Sequence, residues 1–250
     1  MAELCNAFEG TFWPGLRWPE FEDMPDKESA FVILPIVGYT DWGLGLPLDV
    51  EEVIAMEVLS QASKNGHQSA RHLVLPPLRF TMAPTQNSFF GLSPELAHDA
   101  VREIVLSIKE SGFRKVVLYN SSPWNEDLVD AAGRDLRIEL GMQMFSINLS
   151  GLNLDLLPER SKTRHLCQKL GCFLLDREPS EIVENNKGLL GFIAAIDNDD
   201  FDRLKADAME VSGEDILRVS VDKLVGLMSE VAQHAPLPNN GEVPTTNQGE

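Results

Sequence analysis

The fold is decided by a short apolar run, Phe31-Val32-Ile33-Leu34. Continuous apolar residues over so short a length are typical of a strand that is covered on both faces. A helical pattern follows over Asp49 to Asn65, and a second apolar strand, His72 to Leu75, stops at two prolines. A strand, a helix and a second strand in this order predict two parallel strands joined by a crossover helix.

The same alternation continues toward the end of the chain. Ser93 is placed to cap a helix whose first turn holds Pro94. We therefore predict an α/β fold with a mostly parallel sheet between layers of helices. We expect one domain over residues 1–234 and a flexible tail over residues 235–250, which have little to bury. The later predicted elements are the strands Lys115 to Tyr119 and Met142 to Leu149 and the helices Asn125 to Leu140 and Val219 to His234.

Charge and composition exclude several classes of function. The 250 residues carry a net charge of −18, which would repel the phosphate backbone of a nucleic acid. No apolar run approaches the roughly 20 residues of a membrane helix, and the first residues do not form a signal peptide. Three cysteines suit a reducing compartment and inert thiols. We therefore expect a cytoplasmic protein that binds neither nucleic acid nor membrane.

In parallel sheets, ligands bind at the carboxyl ends of the strands. The segments in which a site is expected are therefore those that follow each predicted strand. They are residues 35–49, 76–92, 120–126 and 150–168.

Four motifs occur in order along the chain. Trp18-Pro19-Glu20-Phe21 comes first, then Leu34-Pro35-Ile36-Val37-Gly38 with Leu46-Pro47-Leu48, then Phe89-Phe90-Gly91, then Gly112-Phe113-Arg114-Lys115 with the strand that ends at Asn120. The second resembles the creatininase (creatinine amidohydrolase) signature Leu-Pro-Val-Gly-Ser-Thr-Glu-Gln-His-Gly-Pro-His-Leu-Pro-Leu-x-Thr-Asp, with one extra residue before the Gly. The last resembles that family's Gly-Phe-Arg-Arg strand, which ends in Asn-Gly-His-Gly-Gly-Asn. The resemblance extends over about residues 18–223.

The resemblance implies a creatininase-like three-layer fold with helices on both faces of the sheet. It also implies a dinuclear zinc or manganese site, hydrolysis of the C–N bond of an amide, often cyclic, and assembly into oligomers. That chemistry needs carboxylates and imidazoles, which hold two divalent ions and lower the pKa of a bound water.

Most of the ligands that the resemblance implies are substituted in this chain. The signature Glu falls on Asp41, a shorter carboxylate, and the liganding His after it has no counterpart because the following stretch is one residue short. The family's Asp falls on Glu51, and the His of Asn-Gly-His falls on Ser122. The later His-Ala-Gly-Glu motif is placed with its His on His165 and its Glu on Gln168. The altered site positions are Asp41, Trp42, Glu51, Ser122, Trp124, Asn125, His165 and Gln168, and the candidate metal ligands are Asp41, Asp49 and Glu51.

Two carboxylates with neutral oxygen donors suit Mg²⁺ or Ca²⁺ better than zinc and would hold either weakly. We therefore interpret the chain as a non-catalytic or repurposed subunit of a homo- or hetero-oligomer, with no cofactor. Two alternatives stay open. One is a metal-dependent amidohydrolase with a rearranged site that uses the candidate ligands and His165. The other is a metal-free binder of a small molecule, with a pocket between Trp42 and Trp124.

The remaining features of these segments have ordinary interpretations. Ser121 and Ser122 follow a strand but lack the flanking glycines of a nucleophile elbow, so we predict a turn there. Asn125 is predicted to cap the helix that follows. Phe80 and the pair Phe89-Phe90 lie in a third loop at the strand ends. If these aromatic residues converge with the tryptophans, they fill the space that metal ions would take.

Overall fold

The computed structural model of the chain describes residues 7–40, 46–65, 71–82, 88–152, 170–176 and 212–235. Its centre is a parallel sheet formed by β1 (Phe31–Val37), β3 (His72–Val74), β4 (Leu78–Arg79), β8 (Lys115–Asn120) and β9 (Gln143–Asn148). The strand order is β3-β1-β8-β9, and β4 pairs with β1 beyond the end of β3. Every pairing in this sheet is parallel, so the predicted sheet is confirmed.

Strand β1 is longer than predicted because it continues through Pro35 to Val37. In a parallel strand, alternate residues direct their backbone groups to the same side. On the β3 and β4 side, the carbonyl oxygen of Ile33 accepts from the amide of Leu75 at 2.9 Å, and that of Val37 accepts from the amide of Phe80 at 3.1 Å. The backbone nitrogen of Pro35 faces this same side, at the gap between the end of β3 and the start of β4. Its missing N–H therefore costs no hydrogen bond in the sheet.

Helices cover both faces of the sheet, as the three-layer prediction requires. On one face, α2 and α5 pack against Phe31 and Ile33 of β1. On the other face, α3 and α4 pack against Val32 and Leu34. The four successive side chains thus point alternately into two separate cores, which explains why the run has no polar position. The helices are α1 (Trp18–Glu22), α2 (Val50–Asn65), α3 (Pro94–Glu110), α4 (Glu126–Leu140) and α5 (Gly213–Gln233).

Capping residues set the helix boundaries. The hydroxyl of Ser93 accepts from the amide of Leu96 at 3.4 Å, which confirms the predicted start of α3. Helix α5 begins six residues before the predicted start at Val219, because the hydroxyl of Ser212 accepts from the amide of Asp215 at 3.0 Å. None of the described helices combines the length and apolar character needed to cross a membrane.

Four short strands lie near the carboxyl end of the main sheet. They form two small pairs, one antiparallel and one parallel. One strand of each pair follows directly after β1 or β4, so the pairs stand where the sequence places a site. The strands are β2 (Tyr39–Thr40) with β6 (Ser88–Phe89), and β5 (Thr81–Met82) with β7 (Gly91–Leu92).

Candidate functional site

The ends of β1 and β8 bring Gly38 and Ser122 into contact. The register pairs Ile36 with Asn120, and the amide of Ser121 donates to the carbonyl oxygen of Ile36 at 3.0 Å. A Cβ atom on Gly38 would lie 2.5 Å from Oγ of Ser122 and 2.6 Å from Oε2 of Glu51. Only glycine leaves room for this approach, so the residues that follow β1 and β8 converge with one residue of α2.

Glu51 is fully buried at this point, in the first turn of α2. Its Oε2 accepts from the amide of Gly38 at 3.2 Å, and its Oε1 accepts from the hydroxyl of Thr40. The start of a helix also favours an acidic side chain. These interactions offset the cost of removing a carboxyl group from water. Glu51 therefore ties α2 to the segment that follows β1.

Three buried polar atoms in the loop after β8 have no hydrogen-bond partner among the residues that the structure describes. They are Oγ of Ser121, Oγ of Ser122 and Nε1 of Trp124. Ser122 is fully buried and Ser121 nearly so. Unpartnered buried donors carry a desolvation cost of about 1–3 kcal/mol each. Their concentration in four consecutive residues beside Glu51 marks this loop as the least satisfied polar region among the described residues.

Two asparagines hold the same loop in place. Asn120 donates through Nδ2 to the carbonyl oxygen of Ser122 at 2.8 Å and to Oδ1 of Asn148 at 2.9 Å. Asn125 donates to the carbonyl oxygen of Phe80 at 2.9 Å and accepts from the amide of Met82 at 2.9 Å. Asn125 stands at the predicted N-cap position of α4, but its side chain makes no capping hydrogen bond there. Its amide group joins the loop after β8 to the segment after β4 instead.

A second polar cluster lies one residue further along α2. Glu52 accepts from Nε and Nη2 of Arg79 at 2.8 and 2.7 Å and from the hydroxyl of Tyr39 at 2.7 Å. Burial alone would raise the pKa of Glu52, but the hydrogen bonds from Arg79 and Tyr39 outweigh it and hold that pKa below its ordinary value. Burial and, after it, the hydrogen bond to Glu52 raise the pKa of Tyr39 to about 12. The members of this cluster are 13 to 40 residues apart in the sequence, so no local pattern predicts it.

The structure describes five of the predicted site residues. Glu51 and Ser122 converge, whereas Asp49 is exposed in the turn before α2. Trp124 is half-buried and Asn125 is fully buried in the turn before α4. The other four predicted positions, Asp41, Trp42, His165 and Gln168, lie outside the described residues. Within the described ranges, no three His, Cys, Asp or Glu side chains form a group that could hold a metal ion.

The phenylalanines of the third loop do not converge. Phe80 is buried in the core between the sheet and helices α3 and α4. Phe89 and Phe90 are 45% and 67% exposed. Phe90 has a φ of 53°, and its ring lies edge-on against that of Tyr39. These two rings therefore lie at the surface and do not fill the space beside Glu51. Trp42, which with Trp124 forms the predicted pocket, lies outside the described residues.

The family profile described as creatininase, creatinine amidohydrolase, matches residues 15–185, more than half of the chain. The chain belongs to the creatininase family. A search of curated protein sequences found no match. The matched range contains β1, α2 and β8, so the convergence of Gly38, Glu51 and Ser122 lies inside the family's domain.

Solved creatininase structures share the fold. A protein from Bacteroides fragilis NCTC 9343 assigned as a creatinine amidohydrolase is 15% identical, with a TM-score of 0.58, over 85% of this chain and 93% of its own. A creatininase named for manganese is 19% identical, with a TM-score of 0.60, over 90% and 99%. A glutamate-to-glutamine mutant creatininase of the Zn–Zn type is 16% identical, with a TM-score of 0.59, over 89% and 98%. At these identities the likeness shows the fold alone.

The described part of the site does not fit the dinuclear metal centre that the family implies. Glu51 is its one buried acidic side chain, and its carboxyl group already accepts from Gly38 and Thr40. Ser122, on which the sequence resemblance sets a family histidine, offers a hydroxyl, which is a weak ligand for zinc or manganese. One carboxylate and one hydroxyl are too few for two tightly held ions.

Proposed function

We propose that this chain is a non-catalytic member of the creatininase family, with a degenerate dinuclear metal site, that acts as a subunit of an oligomeric assembly. The observation that carries the proposal is the state of Glu51. Its carboxyl group is fully buried and accepts hydrogen bonds from its own chain, in the position where the family's acidic ligand is expected. In this role Glu51 holds α2 against the sheet and contributes to the fold in place of binding a metal ion.

The serine at position 122, on which the resemblance sets a family histidine, supports the same proposal. Metal-assisted hydrolysis requires ligands that hold the ion while a bound water loses its proton. Ser122 Oγ is buried against Gly38 and has no hydrogen-bond partner in the described part of the chain. A serine hydroxyl supplies one neutral oxygen in place of an imidazole, so it would hold a zinc or manganese ion only weakly.

The experiment combines a stability assay with an activity assay. The purified chain is titrated with Zn²⁺ or Mn²⁺ during thermal unfolding and incubated with creatinine, the cyclic amide for which the family is named. We expect no hydrolysis and no rise in Tm. A bound ion would be detected, because at about 100 times its Kd it would add about 2.7 kcal/mol of stability and raise Tm. Hydrolysis of creatinine that depends on either ion would refute the proposal.

Two adjacent glutamates provide a matched control. Glu51 occupies the family's acidic position, whereas Glu52 is engaged by Arg79 and Tyr39. If metal binds through the family site, Glu51→Gln abolishes the stabilisation by metal and Glu52→Gln retains it. If both variants respond to metal in the same way as the wild type, any binding occurs elsewhere on this acidic chain.

A metal-dependent amidohydrolase with a rearranged site is the second candidate. Family membership and relatives named for manganese and for the Zn–Zn type favour it. Its ligands would be Asp41, Asp49, Glu51 and His165, of which the structure describes an exposed Asp49 and a buried Glu51. A substrate of this class would be an amide whose C–N bond is cleaved by water, and the creatinine assay covers it.

A metal-free binder of a small molecule is the third candidate. The unpartnered donors of Ser121, Ser122 and Trp124 favour it, since a ligand with acceptor oxygens would satisfy them. Thermal-shift screening with small carboxylates and cyclic amides tests this candidate, because a ligand that binds only the folded state raises Tm. A Ser122→Ala variant should then lose part of the shift.

A further inference from the structure

We infer that Asp130 of α4 and Asn148 of β9 are positioning residues of the candidate site. Acting through Asn120, they fix the backbone of Ser122 and hence the place of its hydroxyl group. The inference goes beyond the proposed function, because it concerns how the site is held and applies whether or not the site binds a metal ion.

A chain of side-chain hydrogen bonds leads from α4 to the loop after β8. Nδ2 of Asn148 donates to Oδ1 of Asp130 at 3.4 Å. Oδ1 of Asn148 accepts from Nδ2 of Asn120 at 2.9 Å, where the two asparagines end β9 and β8 as partners in register. Asn120 binds Ser122 twice, since its Nδ2 donates to the carbonyl oxygen at 2.8 Å and its Oδ1 accepts from the amide at 3.1 Å. A helix and two strands therefore act together on one loop residue.

The carboxylate of Asp130 sets the direction of this chain of bonds. A carboxylate only accepts hydrogen bonds, whereas an asparagine side chain has a donor end and an acceptor end. Asp130 therefore selects the orientation in which Nδ2 of Asn148 faces it, and the oxygen of Asn148 is left to face Asn120. In the reversed orientation, two oxygens would meet at Asp130 and two amino groups at Asn120. One arrangement of the two asparagines thus satisfies every contact.

Asn120 passes this orientation on to Ser122. Both of its side-chain N–H groups and its side-chain oxygen have partners, and its backbone is held by the pairing of β8 with β1. The side chain is therefore a fixed bridge, so a change at Asn148 reaches Ser122. Because Ser122 is fully buried against Gly38, a displacement of its backbone moves its hydroxyl group relative to Glu51.

Exchanging the two side chains tests the inference. Asp130→Asn removes the carboxylate that orients Asn148, and Asn148→Asp sets two carboxylates against each other. The double variant, Asp130→Asn with Asn148→Asp, keeps the net charge and rebuilds the chain of bonds around a central carboxylate that accepts from both neighbours. Each single variant should disturb Ser122, and the double variant should restore it.

Hydrogen exchange of the Ser122 amide, measured by nuclear magnetic resonance on the full chain, is the readout, because that amide donates to Asn120. We expect each single variant to speed this exchange at least about fivefold, and the double variant to return it to within about twofold of the wild type. The indole N–H resonance of Trp124, assigned with Trp124→Phe, should shift in each single variant and return in the double variant, because Nε1 of Trp124 is buried in the same loop.

Asp135→Asn is the matched control, because it removes the same charge from an exposed position of α4, and it should leave the exchange of Ser122 unchanged. The amides of β1 report the stability of the whole fold. If they exchange faster in the same proportion as Ser122, Asn148 acts only on stability and the inference is overturned. Wild-type exchange of Ser122 in either single variant, or no recovery in the double variant, would overturn it as well. Metal content is measured separately, so failure of the proposed function is distinguished from failure of this inference.

Discussion

The substitution Gly38→Ala probes the packing at the convergence of β1, α2 and β8. The added methyl group would lie 2.5 Å from Oγ and 2.8 Å from Cβ of Ser122, and 2.6 Å from Oε2 of Glu51. All three distances are shorter than ordinary contacts between heavy atoms. Two of the neighbours belong to a short side chain on a loop held by Asn120, so they have little freedom to move away.

The expected cost follows from two opposing effects. Overpacking of a well-packed region costs about 1–3 kcal/mol. Replacing a glycine with alanine restricts the unfolded chain and returns about 0.4–1 kcal/mol. We therefore expect Gly38→Ala to lower the free energy of unfolding by about 1–2 kcal/mol, which corresponds to about 2–8 °C in Tm for a chain of this size.

Urea unfolding measured by circular dichroism gives this free energy. Gly226→Ala is the matched control, because a Cβ on Gly226 meets nothing within 4 Å, and it should be neutral or stabilising. Gly38→Ala combined with Ser122→Gly removes two of the three close contacts and should recover at least half of the loss. Wild-type stability for Gly38→Ala, or no recovery in the double variant, would refute the packed arrangement.

Three further predictions concern the same region. Ser122→Ala should be neutral or stabilise the fold by up to about 1 kcal/mol in urea unfolding, since its Oγ has no partner, and a clear loss of stability would contradict that assignment. Glu51→Ala should cost at least about 2 kcal/mol, because it leaves the amide of Gly38 and the hydroxyl of Thr40 without this buried acceptor, and retained stability would show that the carboxyl group is not a structural acceptor. Glu52→Gln should cost about 1–2 kcal/mol at pH 7. The pKa of Glu52 is lowered on folding, so the stability that the carboxylate adds to the wild type is fully present above the ordinary pKa of 4.5. That stability is lost as the pH falls through the lowered pKa. Unfolding curves between about pH 3 and pH 8 measure that contribution, and a difference that persists unchanged at the acidic end would contradict it.

Local sequence patterns predicted the layers of this fold because burial on both faces leaves a direct signature. The run from Phe31 to Leu34 alternates between two cores, so every position must be apolar. The extension through Pro35 was not predictable in the same way. A proline usually ends a central strand, and its tolerance here depends on the interval between β3 and β4, which is a property of the assembled sheet.

The candidate site was predictable in position but not in its hydrogen bonds. The resemblance placed Glu51 and Ser122 at the ends of neighbouring elements, and the structure brings them to the same point. The partners of Glu51, the amide of Gly38 and the hydroxyl of Thr40, depend on the path of the chain after β1. Asn125 was predicted as a cap because asparagine favours that position. Its side chain bonds Phe80 and Met82 instead, which are 45 and 43 residues away in the sequence.

The metal content of the purified chain tests the central claim most directly. The protein is expressed in medium supplemented with zinc and manganese, purified without a chelator, dialysed and analysed by inductively coupled plasma mass spectrometry. A degenerate site built around a hydrogen-bonded Glu51 predicts less than about 0.1 ion of either metal per chain. About one or two ions per chain that survive dialysis, and that are lost in Glu51→Gln but kept in Glu52→Gln, would contradict the account.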